Sequence, residues 1–290
     1  MRVLLIGAGG YLGTAAAERL TAAGHQVVAL VRDGAASASP YERRVGDLTD
    51  PASLTAAVTD DIDAVIHAAT PTGDAAVDAA AVDALTAPLC GTLRAFIYTS
   101  GVWVLGATGD TAATEDSPTN AIPIVGYRPR IEEQVLATSD DRVRATVLRP
   151  GIIHGRGGGI PAMMVDWARK AGAGRVVGDL PVRWPMVHVD DLAELYVLVL
   201  EQAAAGTIWH GVAQPAVRIR DLAAAAGTAA GVSDEPRVWP VEEARAELGE
   251  AFADALALDQ NVTGHHAHTR LGWHPRQLDA VSDMRFGSYS

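Results

Sequence analysis

One cysteine, one lysine and only 5% aromatic residues mark this chain of 290 residues. A lone thiol, Cys90, can form neither an intrachain disulfide nor a thiolate metal cluster, and cysteine used so sparingly fits a reducing, cytoplasmic setting. Positive charge is scarce as well. The 23 Lys and Arg stand against 35 Asp and Glu, a formal charge of −12. Such a surface repels phosphate backbones and anionic headgroups, so neither nucleic acid nor a membrane surface is expected as a main partner. No apolar run approaches the roughly 20 residues that span a bilayer. The first one, residues 3–6, stops at Gly7 after four residues, too short for a secretory leader.

What is present is a chain that is 49% hydrophobic and long enough to bury roughly three quarters of the surface its unfolded form exposes. Short β-branched runs at 3–6, 27–31, 64–67, 95–99 and 144–148 alternate with helical stretches at 11–23, 51–58, 77–87 and 131–138. The strand runs are apolar on both faces, as strands covered by helices on both sides must be. Asp50-Pro51 reads as an N-cap followed by proline at the first helical position. The pattern predicts an α/β fold, a Rossmann-like doubly wound parallel sheet with right-handed crossovers. After Pro150 the texture changes, with four glycines among residues 155–159, a helix at 161–171, a strand at 186–189 and a helix at 192–202. The expected organisation is a dinucleotide-binding domain at 1–154 and a smaller substrate-binding region at 155–290, with 186–211 returning to the core.

The strongest local signal is a strand that runs into Gly7-Ala8-Gly9-Gly10-Tyr11-Leu12-Gly13 and then a helix. Glycine permits the tight turn and close backbone approach, and the helix N-terminus offers free N–H groups to a pyrophosphate. The spacing is G-x-x-G-x-x-G through Gly7, Gly10 and Gly13; strict G-x-G-x-x-G fails because Leu12 takes the last position. Gly7, Gly10, Tyr11, Leu12 and Gly13 are therefore expected around the phosphates. The second strand ends at Val31 and is followed by Arg32 and Asp33. An acid at the strand end would bind the ribose 2′-hydroxyl of NAD, whereas arginine accommodates the 2′-phosphate of NADP. Arg32 favours NADP(H) over NAD(H).

The glycine loop and six further segments in the same order give a resemblance to the extended or atypical short-chain dehydrogenases/reductases, the NAD-dependent epimerase/dehydratase family. Besides the glycine loop, residues 46–50 (GDLTD) resemble the family's adenine contact, with Asp47 and Leu48 in that role. Residues 65–69 (VIHAA) resemble its fourth strand, which places Ala68 and Ala69 along the cofactor. Residues 96–101 (FIYTSG) resemble the fifth, which carries the catalytic Ser/Thr. Residues 149–151 (RPG) resemble the loop beside the nicotinamide, through Pro150 and Gly151. Residues 187–191 (VHVDD) and 271–275 (LGWHP) resemble two later signatures. The resemblance implies an NAD(P)-dependent oxidoreductase acting on a small carbonyl or hydroxyl substrate. It equally admits a redox-neutral epimerase or dehydratase, and many members pair as homodimers through two core helices.

The family's chemistry uses a tyrosine as proton donor and a lysine four residues later that lowers its pKa. The only lysine is Lys170, so Tyr-x-x-x-Lys is absent. That loss keeps a third reading open, a dinucleotide-binding protein without catalysis. Lining Glu133 up with the family's helix glutamate puts Val125 and Pro129 in the Tyr and Lys places. Tyr127, two residues away, is the expected acid, with Arg128 or Arg130 to stabilise a phenolate. A similar one-residue shift leaves Gly101 at the usual serine position and makes Ser100 the expected catalytic hydroxyl.

The remaining polar residues read more plainly. His188 is expected to anchor a loop, and His154 to border the substrate. His265, His266 and His268 lack the companions of a four-ligand zinc site and are read as a solvated turn; no metal is expected. Asp60-Asp61 and Asp190-Asp191 are read as caps of following elements. The six tryptophans are spread as packing anchors, with Trp184 beside Pro185 placed to roof the pocket.

Overall fold

Apolar runs buried on both faces build the centre of the fold. The computed structural model describes residues 1–32, 40–178 and 181–290; Asp33 lies outside them. β1 (Arg2–Ile6), β2 (Gln26–Val31), β3 (Glu42–Val45), β4 (Ala64–His67), β5 (Ala95–Thr99), β6 (Arg144–Pro150) and β10 (Thr207–Gly211) form one seven-stranded sheet. Its order is β10-β6-β5-β4-β1-β2-β3, and the pairings are parallel throughout. The order reverses between β1 and β4, and open α/β sheets bind ligands beyond the carboxyl ends of the strands at that switch point.

The period of two along each strand divides its side chains between two cores. Val3 and Leu5 face α1 (Tyr11–Ala22) and α6 (Val189–Gln202), whereas Leu4 and Ile6 face the opposite layer. That layer contains α2 (Pro51–Ala57), α3 (Ala75–Thr86) and α4 (Arg128–Ala137). Asp50 caps α2 as expected, accepting from the amides of Ala52 and Ser53 with Pro51 in the first turn. β3 went unread because Glu-Arg-Arg-Val carries no apolar pattern; it is an edge strand that needs pairing on one side only.

The rest of the chain has its own core. β7 (Ile152–His154), β9 (Arg183–His188) and β11 (Gln214–Arg218) form a three-stranded sheet in the order β11-β9-β7. β8 (Ala173–Val177) pairs with β12 (Ser233–Trp239). α5 (Gly159–Ala171), α7 (Ile219–Ala229), α8 (Val241–Leu248), α9 (Glu250–Leu256) and α11 (Ala280–Phe286) pack around them, and α10 (His265–Arg270) closes over β10. Two expected boundaries move. The small sheet begins at β7, inside the expected first domain, and β9 belongs to it, so the return to the large sheet runs through α6 and β10.

Two of the sequence signatures hold each other. Trp273 donates its indole N–H to the Asp191 carbonyl at 2.9 Å, and the Asp191 carboxylate accepts from the amides of Arg276 and Gln277. Asp191 thus tethers the 271–275 segment to α6 rather than capping the helix. His266 is buried, with its amide 3.0 Å from Glu115 and its ring against Arg270. It is packed, not solvated. Trp184 lies in the core of the small sheet.

Candidate active site

Two cavities occupy the carboxyl edge of the large sheet, on either side of the switch point. The first, about 650 Å³, is lined by Gly7, Gly9, Arg32, Asp47, Leu48 and Ala69, with Thr70 and Thr72 beyond. Gly7 has φ +89°, and a side chain there would meet the Ala69 backbone at 2.7 Å. A Cβ on Gly13 would lie 1.9 Å from the Gly7 carbonyl, so the glycine is what lets α1 lie against the end of β1. A Cβ on Gly9 meets nothing within 4 Å; that glycine borders open cavity.

Gly10 is the N-cap of α1, with no side-chain cap and no acid in the first turn. The free N–H groups and positive helix end are left for a ligand. Asp47 turns one carboxylate oxygen onto the Thr49 amide at 2.8 Å and hydroxyl at 2.7 Å, bonds that hold its pKa below the ordinary range. Gly10, Tyr11, Leu12, Gly13 and Ala68 are not among the lining residues; Leu12 packs into the core. Tyr11 instead donates to the Gly155 carbonyl at 2.7 Å, and burial pushes its pKa up. Tyr289 and Ser288 grip the same 155–158 loop, through the amides of Gly155 and Gly157 and the Gly158 carbonyl. The residues fit a dinucleotide: a glycine turn, an uncapped helix start and a cavity that accepts Arg32 at one rim.

The second cavity, about 190 Å³, is lined by Thr99, Ser100, Trp103, Arg128, Pro150 and Gly151, closed by Val125, Ile152 and Ile153. Ser100 follows the end of β5, its amide held by the Leu148 carbonyl at 2.7 Å. Its hydroxyl is buried and has no hydrogen-bond partner. Gly151 lets the chain pass β9 closely, since a Cβ there would lie 2.6 Å from the Pro185 carbonyl. Arg128 donates to the Thr99 carbonyl, stands over the Tyr98 ring at 5.6 Å and keeps Nε unpartnered.

Tyr127 is not brought to Ser100. Its hydroxyl donates to Asp78 Oδ2 at 2.6 Å, its ring packs in the core, and burial and the Asp78 carboxylate drive its pKa up. It does not line the cavity. The helix register explains the misplacement. Glu132, not Glu133, is the buried glutamate, bonded through both carboxylate oxygens to Arg149 on β6. Moving the register by one puts Ile124 in the Tyr place and Arg128, a cavity residue, in the Lys place. The burial of Glu132 and Arg149 is the signal that sequence reasoning lacked.

His188 anchors as expected, its Nδ1 accepting the Asp190 amide at the start of α6. His154 is not at the substrate side; it is buried against Asp283 at 3.1 Å, and desolvation lowers its pKa. His154, His188 and Asp283 bring three potential donor atoms within 4.8 Å of one another. Asp283 is already engaged by His154 and Ser288, and His188 by Asp190.

Comparison with known proteins agrees with this geometry. The chain is 32% identical over its full length, and that of its relative, to an uncharacterized protein of Schizosaccharomyces pombe. It is 29% identical to a 3-diazoavenalumate denitrifying reductase of a Streptomyces species, covering 95% of this chain and 96% of that one. Its fold matches human epimerase family protein SDR39U1, crystallised with NADPH, at TM-score 0.79 and 22% identity over 99% of both chains. No helix among the described residues is long and apolar enough to cross a membrane. The family model of the NAD dependent epimerase/dehydratase family matches residues 3–210, and the chain belongs to that family of NAD(P)-binding enzymes that act on small molecules.

Proposed function

We propose that the chain is an NADPH-dependent reductase of a small carbonyl compound. The observation that carries the reading is the buried, unpartnered hydroxyl of Ser100 in the wall of the 190 Å³ cavity. A buried polar group without a partner is costly, on the order of 1–3 kcal/mol, and a substrate oxygen would satisfy it. When bound, the dihydronicotinamide supplies hydride to the carbonyl carbon. The protein's share is the other half of the reaction. Ser100 donates a hydrogen bond to the carbonyl oxygen, and the Arg128 guanidinium stabilises negative charge as it develops there. Arginine does not give up its proton at working pH, so the proton comes from water through Ser100.

The finer choice of cofactor rests on Arg32, which borders the first cavity where the 2′-substituent would lie. The NADPH held by the human relative supports it. The reductase reading draws further support from the Streptomyces relative, whose name describes a reduction. The test is oxidation of NADPH, followed by absorbance, with a panel of aldehydes and ketones. Consumption of NADPH with at least one, and slower turnover with NADH, is expected. Tight NADPH binding with no consumption by any member of the panel would contradict a reductase.

A further inference from the structure

A third cavity, about 610 Å³, lies between the small sheet and the β8–β12 pair and belongs to neither end of the nucleotide site. Its volume is within the range of small-molecule sites. Four arginines surround it, Arg183, Arg218, Arg220 and Arg237, against two acids, Asp110 and Asp259. Arg183 is neutralised, bonded through Nε and Nη2 to both oxygens of Asp259 and through Nη1 to Asp110 at 3.1 Å. Arg218, Arg220 and Arg237 have no ion pair with any described residue. The cavity therefore holds an excess of two positive charges in a chain whose formal charge is −12. The rest of its wall is apolar, through Val176, Val182 and Val238 with Pro181 and Pro236.

This cavity and the Ser100 cavity share one strand. Gly151, in the wall of the Ser100 cavity, lies against Pro185 of β9, and Arg183 stands two residues earlier on the same strand. Two residues of strand cover about 7 Å. The two cavities are thus walled by neighbouring stretches of β9.

We propose that the cavity binds the carboxylate of the substrate, so that the enzyme reduces carbonyl compounds that carry an acid group on an apolar body. Arg218 and Arg237 supply the charge, and the valine and proline wall holds the hydrocarbon. Planar guanidinium groups match carboxylate oxygens in two-point contacts. The apolar wall selects a carbon chain over a bare inorganic anion. This substrate class rests on the reductase reading, but the binding it requires does not.

Titration calorimetry of the whole protein with octanoate, octanol and inorganic phosphate tests the binding without turnover. Octanoate is expected to bind, with octanol and phosphate at least about tenfold weaker. Arg218→Ala/Arg237→Ala should weaken octanoate by about tenfold or more, the scale of lost charge-assisted bonds. These arginines are exposed, so the variant keeps its fold, and an unchanged melting temperature checks that. Octanoate binding equal in variant and wild type, or phosphate as strong as octanoate, would overturn the proposal. In turnover, a medium-chain oxo acid should outrun its methyl ester by about tenfold in kcat/KM, an advantage lost in the double variant. Equal turnover of acid and ester would also overturn it. Failure of the reductase reading is separate: octanoate still binds, and no carbonyl compound consumes NADPH.

Discussion

The two ends of the nucleotide site share one sheet edge but are specified differently. At the β1–β2 end, backbone geometry does the work. Gly7 takes a positive φ, Gly13 leaves no room for a methyl group, and Gly9 opens onto the cavity. Each requirement excludes most other residues, so the need is written directly as glycine. At the β5–β6 end the work falls to side chains whose value depends on distant partners. Ser100 matters because its hydroxyl is buried without a bond, and Arg128 because the Glu132–Arg149 pair sets the register of α4. The first end is held to its pattern by sterics, while on the proposed reading the second works through the Ser100 hydroxyl and the Arg128 guanidinium.

The sharpest way to break this comparison is at the glycines. Gly13→Ala places a Cβ 1.9 Å from the Gly7 carbonyl. Calorimetric binding of NADPH should be lost altogether, with a stability cost of about 1–3 kcal/mol from overpacking. Gly9→Ala, which meets no protein atom, should leave the melting temperature in place and weaken only the cofactor. If Gly13→Ala binds NADPH as the wild type does, the steric account of this end is wrong.

A smaller effect is expected at the ribose rim. Arg32→Ala should erase most of the preference for NADPH over NADH, about tenfold in Kd, because a charge-assisted bond to phosphate is lost. Equal affinities for the two cofactors in the wild type would remove the NADP assignment.

The smallest effect on rate should come from Tyr127→Phe. The hydroxyl is spent on Asp78, so turnover should change less than about threefold, while stability falls by about 1 kcal/mol for one lost hydrogen bond. Denaturant unfolding beside steady-state kinetics separates the two quantities. A stable variant with collapsed turnover would return the tyrosine to the reaction.

The legibility of the chain follows the same divide. Rossmann topology was readable because buried parallel strands are continuous apolar runs, and the Asp50-Pro51 cap because its mechanism is local. β3 escaped because an edge strand tolerates Glu-Arg-Arg-Val. Tyr127 was expected beside Ser100 but lies against Asp78, because the choice between Glu132 and Glu133 depends on which one meets Arg149, a contact 17 residues away. His154 looked exposed to substrate from its place after 149–151, but a contact 129 residues away buries it against Asp283. The third cavity was invisible because its arginines come from β9, β11, α7 and β12, and only folding gathers them.

The measurement closest to the central claim is the single-turnover rate of NADPH oxidation by Ser100→Ala with a carbonyl substrate that the wild type reduces. Among the described residues of the cavity wall, the Ser100 hydroxyl and Arg128 Nε are the buried side-chain donors without a hydrogen-bond partner. Its removal should slow the reaction on the order of 10²–10³-fold, the usual size of a lost donor to a developing oxyanion, with the Kd for NADPH unchanged. A rate within about threefold of wild type would contradict the assignment of the carbonyl site to Ser100.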